Sequence, residues 1–205
     1  MAYGSIAGVR AAGISASVAD DPTVTALLAE ATAFIDRVTG SWFESRSVTL
    51  TLDGEGTRHL HFDVPPISIT EVRRHDRIDA TSEEVAAGDY LTYTDPENPK
   101  LHHLTACWER GHQNYEVDGS FGWLVDGATP GGITRAANLL AARWARPVSE
   151  QDATEYRRGD IKRVRVQGRE VEWGNATAAT GSWTGDPDID RILALYRRPI
   201  AARAV

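Results

Sequence analysis

The chain changes its hydrophobic period twice, and that alternation limits the folds open to it more than any other feature. Between Pro22 and Thr39, the residues Val24, Leu27, Leu28, Ala31, Ile35 and Val38 recur every three or four positions, as one face of a helix does. Asp21-Pro22 opens the run with an acidic N-cap and a proline at the first helical position, where its missing N–H costs nothing. Gly40 closes it as a residue at ease in the left-handed C-cap conformation, and Trp42-Phe43 follow as an anchor. From residue 47 the period falls to two. It becomes helical again at Thr129-Pro130, with Ile133, Ala136, Ala137, Leu140, Ala141 and Trp144 in one stripe and Pro147 as the stop. Two helices, over about 22–39 and 130–145, therefore bracket a β block, and the small residues on the second allow it to approach the first closely. A shorter helix is expected around Ser5–Ala12.

In the β block, over about 47–125, Val48, Leu50 and Leu52 alternate with Ser47, Thr49 and Thr51. After the turn Asp53-Gly54-Glu55-Gly56, Leu60, Phe62 and Val64 alternate with His59, His61 and Asp63, which together read as a β-hairpin. Pro65-Pro66 break the strand, and Ile67, Ile69 and Val72 begin another. Further strands are expected near 89–94, 101–108 and 114–123, the last with Tyr115, Val117, Phe121 and Trp123 on one face. Residues 79–88 and 95–100 read as loops. The predicted fold class is α+β: a helical frame of two main helices with an inserted antiparallel block of about five or six strands, all within a body spanning 1–146.

Residues 147–205 are predicted to form a C-terminal arm. Ile161, Val164, Val166, Val171 and Trp173 flank Gln167-Gly168, consistent with a hairpin over about 160–173 that carries Arg158, Lys162, Arg163, Arg165 and Arg169. A linker of small residues with Trp183 as its one aromatic follows. Asp186-Pro187 then start a last helix over about 187–197, with Asp188 favouring its dipole and Ile189, Ile192, Leu193 and Tyr196 as its apolar stripe. So short a segment buries no core of its own. Its stripe needs a surface from the rest of the molecule or from another chain. The segment thus reads as a docking arm, with Trp183, Ile189, Ile192, Leu193, Tyr196, Arg197 and Arg198 as its contact residues.

Charge and motif content narrow the function. The 205 residues carry a net charge of -7. Residues 1–130 hold 9 basic and 20 acidic side chains, whereas residues 131–205 hold 13 basic and 9 acidic ones. An acidic body argues against a nucleic-acid clasp, since phosphate contacts need Lys and Arg. No apolar run approaches the roughly 18 residues of a membrane span, and the N-terminus lacks the layout of a secretory signal. The single cysteine, Cys107, excludes an internal disulfide and fits a reducing cytosol.

His102, His103, Cys107 and His112 invite a metal reading. Adjacent strand residues face opposite ways, however, and the spacing fits no compact zinc pattern. His59 and His61 share a face without an evident third ligand. No nucleophile elbow or phosphate loop is present, and Glu83-Glu84 read as a solvated face. The expectation is no enzyme, no metal and no cofactor. The basic hairpin leaves two functional options open, an acidic protein surface or nucleic acid, and a protein partner is favoured.

Four segments, taken in order, resemble the head–tail connector (adaptor or head-completion) proteins of long-tailed bacteriophages. They are ATAFIDRVTGSWF (Ala31–Phe43), PPISITEV (Pro65–Val72), YEVDGSFGW with TPGGITRAANLLAARW (Tyr115–Trp144), and RGDIKRVRVQGREVEW with TGDPDIDRILALYRRP (Arg158–Pro199). The resemblance covers most of the chain outside 75–112. It implies a structural virion protein at the head–tail neck, assembled in the host cytoplasm as a ring of about a dozen subunits. The ring would join the capsid portal protein, toward which the C-terminal arm reaches, to the next neck or tail protein. Packaged DNA would pass through its channel without sequence-specific binding, and no membrane is involved. Another neck component (a stopper or tail-completion protein) is the alternative within this reading, and a nucleic-acid-binding module using the basic hairpin is the alternative outside it.

Overall fold

The computed structural model describes residues 2–76, 81–146, 163–166, 169–172 and 183–197. The chain divides into two compact units, Met1–Thr39 with Gly131–Val205 and Gly40–Pro130. The described elements are α-helices and antiparallel strands, the α+β class read from the sequence.

The first unit is helical: α1 (Ile6–Ala11), α2 (Asp21–Thr39), α3 (Gly131–Ala145) and α4 (Pro187–Tyr196). The start of α2 differs by one residue from the sequence reading. Asp20, not Asp21, is the cap, its carboxylate accepting the Thr23 N–H at 3.0 Å. Those Thr23 hydrogen bonds hold the Asp20 carboxyl below its ordinary value. Asp21 sits in the first turn and pairs with Arg10 at 2.6 Å. Gly40 takes φ +68 just beyond the helix, as its C-cap role requires.

The buried face of α2 is Val24, Leu28, Ala31, Thr32, Ile35 and Thr39. Its two threonines are tolerated there because their hydroxyls donate to the Leu28 and Ile35 carbonyls, each at 2.8 Å. α3 packs against α2, α1 and α4, burying Ile133, Ala136, Ala137, Leu140, Ala141 and Ala142, and Phe34 meets Trp144 edge-on at 5.9 Å. Close approach also governs α1. Asn138 on α3 accepts the Ser5 N–H at 2.9 Å, and a Cβ at Gly8 would come within 2.2 Å of the Asn138 side chain.

α4 starts as its sequence predicts. The Asp186 carboxylate accepts the N–H groups of Asp188 at 2.9 Å and Ile189 at 3.4 Å, with Pro187 in the first turn. Thr184 donates its N–H and its hydroxyl to Asp190 at 3.0 and 2.7 Å, pinning the entry from outside. Asp186→Ala should therefore cost about 0.5–2 kcal/mol of helix stability. Faster amide exchange at Asp188 and Ile189, with α2 unchanged, is the readout. The helix lies on α3 and α2 of its own chain.

The second unit consists of two sheets with a common core. β1 (Arg46–Gly54), β7 (Gly111–Phe121), β3 (Pro66–Asp76) and β4 (Thr81–Glu84) form one, in that order. β2 (His59–His61), β6 (Lys100–His103) and β5 (Tyr90–Tyr93) form the other. Val72, Tyr115, Val117 and Phe121 from the first sheet meet Leu60, Tyr90 and Leu101 from the second, with Phe62, Val64 and Trp108 between strands.

Several sequence expectations change here, beginning with the number of strands, seven among the described residues where about five or six were expected. The strands at 46–54 and 59–61 do not form a hairpin: β1 pairs with β7 and β2 with β6, so the chain switches sheets at the predicted turn. Asn114 and Asp53 hold that switch, accepting the N–H groups of Gly54 at 2.8 Å and Gln113 at 2.6 Å. Gly54 is needed because a Cβ there would lie 1.9 Å from the Glu109 carbonyl. The stretch read as a loop at 79–88 contains β4, whose residues are all exposed, so no apolar alternation marks it. The strand expected at 101–108 ends at His103, beyond which the chain bends to bury Trp108.

β8 (Arg163–Val166) and β9 (Arg169–Glu172) pair antiparallel, in the register Arg163↔Glu172 and Val164↔Val171. The pair falls within the hairpin expected over about 160–173, of which residues 160–162, 167, 168 and 173 lie outside the described residues.

Candidate functional site

The residues assigned to the docking arm separate into two groups. Ile189 and Leu193 are 1% and 0% exposed, seated among the unit's own helices. Ile192 and Tyr196 are half-buried. A Cβ on Gly132 at the start of α3 would lie 3.0 Å from the Tyr196 hydroxyl and 3.4 Å from Ile192, so the glycine makes room for them. The stripe that needed a surface finds it within the chain. Trp183, half-buried, carries the Arg197 guanidinium over its ring at 5.0 Å. Arg198 and Lys162 lie outside the described residues. Arg163, Arg165 and Arg169 lie on β8 and β9, where Arg165 stands in register with Glu170.

The residue that sequence reading passed over is Leu195. It is 75% exposed, on the side of α4 that also presents Arg191 and Ala194. The signal was present: Leu195 falls off the 189–192–193–196 stripe, and an apolar side chain there has nothing of its own helix to cover it.

The four residues weighed as a metal set are dispersed. His103 packs edge-on against Trp108 at 5.2 Å, and its Nδ1 accepts the Ala106 N–H at 3.3 Å. Cys107 is exposed, and His112 lies beside Asp53 at 3.3 Å. His102 instead stands opposite His59, a pairing that only the β2–β6 register reveals. Among the described residues, no group of three or more His, Cys, Asp or Glu side chains is placed to hold a metal ion.

A cluster of charged side chains lies on the β1–β7–β3 sheet. The Thr49 hydroxyl and the Arg73 guanidinium both donate to the Asp118 carboxylate. In that order they hold its carboxyl below the ordinary 3.8. Arg73 also pairs with Glu71 at 3.5 Å, and His75 with Glu116 at 2.9 Å. The stabilisation from Asp118 is present above the ordinary carboxyl value and is lost as pH falls through the lowered folded value. Asp118→Asn should thus lower the unfolding midpoint at neutral pH, and the gap to wild type should close below about pH 4. Paired thermal melts across that range check it.

No protein-family model matches the chain, and no curated protein sequence matches it. Its fold does match solved structures. A chain in the neck of an empty gene transfer agent particle, computed with C6 symmetry, aligns at 20% identity with a TM-score of 0.60. That alignment covers 96% of this chain and 91% of the other. A chain in the neck of the native particle, computed with C12 symmetry, aligns at 19% identity and TM-score 0.58, over 97% and 91%. A chain in the virion of the native particle aligns at 20% identity and TM-score 0.56, over 90% and 82%. The likeness is one of fold, and it runs nearly end to end.

Proposed function

We propose that this chain is a structural, non-enzymatic protein of the neck of a phage-like particle, an adaptor that assembles as an oligomeric ring between the capsid portal and the tail. The observation that carries the reading is the end-to-end fold likeness to chains in gene transfer agent necks. The order of connector-like segments, found independently in the sequence, points the same way. A ring follows from head-to-tail contacts that close on themselves. The acidic body suits a channel wall that DNA passes without adhering to.

Within this reading, the exposed side of α4 is the portal contact: Leu195, Arg191 and Arg197, steadied by Trp183. Ile189 and Leu193 support the helix from beneath. Contacts this small become strong when repeated around a ring. Removing the gene from a producing genome should leave filled heads and separate tails. Normally joined particles from that deletion would overturn the proposal. Leu195→Asp should leave the melting midpoint nearly unchanged, as surface substitutions usually do within about 0.5 kcal/mol, while portal capture falls. Undiminished capture would remove α4 from the contact.

A further inference from the structure

The outer face of the β2–β6–β5 sheet gathers imidazoles. His59 and His102 are directly opposite in the antiparallel register, with ring centroids 5.0 Å apart and planes tilted by 38°. His61, two residues along the same strand and so on the same face, has its ring 5.9 Å from His59. Two imidazoles on one tetrahedral ion, with metal–nitrogen bonds of about 2.0–2.1 Å, hold their centroids roughly 5 Å apart. The His59–His102 separation already meets that requirement.

The neighbours frame the pair. Tyr93 on β5 meets the His102 ring edge-on at 6.4 Å and flanks it on the side away from His59. Lys100 is opposite both Tyr93 and His61, and its ammonium lies over the Tyr93 ring at 5.3 Å, drawn toward β5 and away from β2.

We propose that His59 and His102 form a two-imidazole site for a divalent transition-metal ion of the zinc, nickel or copper class. Water completes the coordination. Imidazole ligands suit these ions, and both rings are half-buried, so each keeps an edge open to solvent. The site is independent of the neck assignment.

The test is calorimetric titration of the full chain with zinc chloride, repeated on Cys107→Ser so that the exposed thiol does not compete. Saturable binding below about 1 mM is expected. His59→Ala and His102→Ala should each weaken it by at least about tenfold, the loss of one ligand from a pair. His112→Ala, with a 92% exposed side chain at another position, should leave it unchanged. Side-chain NMR should show the His59 and His102 signals moving together on zinc addition. Absence of saturable binding would overturn the proposal. So would binding that survives both His59→Ala and His102→Ala, or binding that is lost in His112→Ala.

Discussion

Replacing Trp108 with alanine should lower the unfolding free energy of the β unit by about 3–5 kcal/mol, the range for truncating a buried large aromatic. The side chain is 1% exposed and the residue lies outside every strand, so packing and a few hydrogen bonds to the loop at 56–58 hold it. Tyr115 meets it edge-on at 5.2 Å and Tyr90 lies at 6.3 Å, while His103 closes a third side. Its indole N–H donates to the Arg58 carbonyl at 3.0 Å, and its backbone N–H to the Thr57 carbonyl at 2.7 Å. Removing the ring opens a cavity and leaves the Arg58 carbonyl without that donor. Domains are stable by only about 5–15 kcal/mol, so the loss is a large share of the total. Trp108→Phe retains most of the packing and loses the hydrogen bond, and should fall between wild type and alanine. Urea unfolding followed by tryptophan-independent circular dichroism measures the series. An alanine variant within 1 kcal/mol of wild type would mean that Trp108 is peripheral to the core.

The second large effect belongs to α4. Leu193→Ala should cost about 2–5 kcal/mol by the same cavity argument, but the loss should be local. Leu193 is fully buried beside Ile189, in a helix of only 10 residues. Isolated helices of that length are marginal in water, so α4 persists by its packing on α3 and α2. Hydrogen exchange should show protection lost over 187–196, while the strands of the β unit stay protected. Uniform loss across the chain would contradict a separately docked helix. Portal capture should fall with Leu193→Ala as it does with Leu195→Asp, but for a different reason. Leu193→Ala would undock the helix that carries the proposed contact, whereas Leu195→Asp would alter the proposed contact itself.

Elements that carry their own periodicity and caps were legible in the sequence. The stripe from Val24 to Ile35, the stripe from Ile133 to Ala141, and the Asp186-Pro187 start each appear where local pattern places them. Strand identity was legible for the same reason, since Val48, Leu50 and Leu52 alternate whichever strand lies beside them. Partner choice was not. Whether β1 pairs with β2 or with β7 depends on Asp53, Asn114 and the close approach at Gly54, contacts about 60 residues apart in sequence. β4 has no buried residue to mark it.

The candidate site divides along the same line. The apolar stripe of α4 could be read directly, but which surface covers it could not. A stripe of Ile189, Ile192, Leu193 and Tyr196 looks the same whether it seats on its own chain or on another. The His59–His102 juxtaposition likewise exists only once the register of β2 and β6 is known.

The assignment to a particle neck is tested most directly by electron microscopy of the purified full chain mixed with the portal protein encoded in the same genome. Closed rings stacked coaxially on one end of the portal are expected, with density for α4 at the contact. Portal rings that stay bare at saturating protein, while the added chain remains a dispersed monomer, would contradict it.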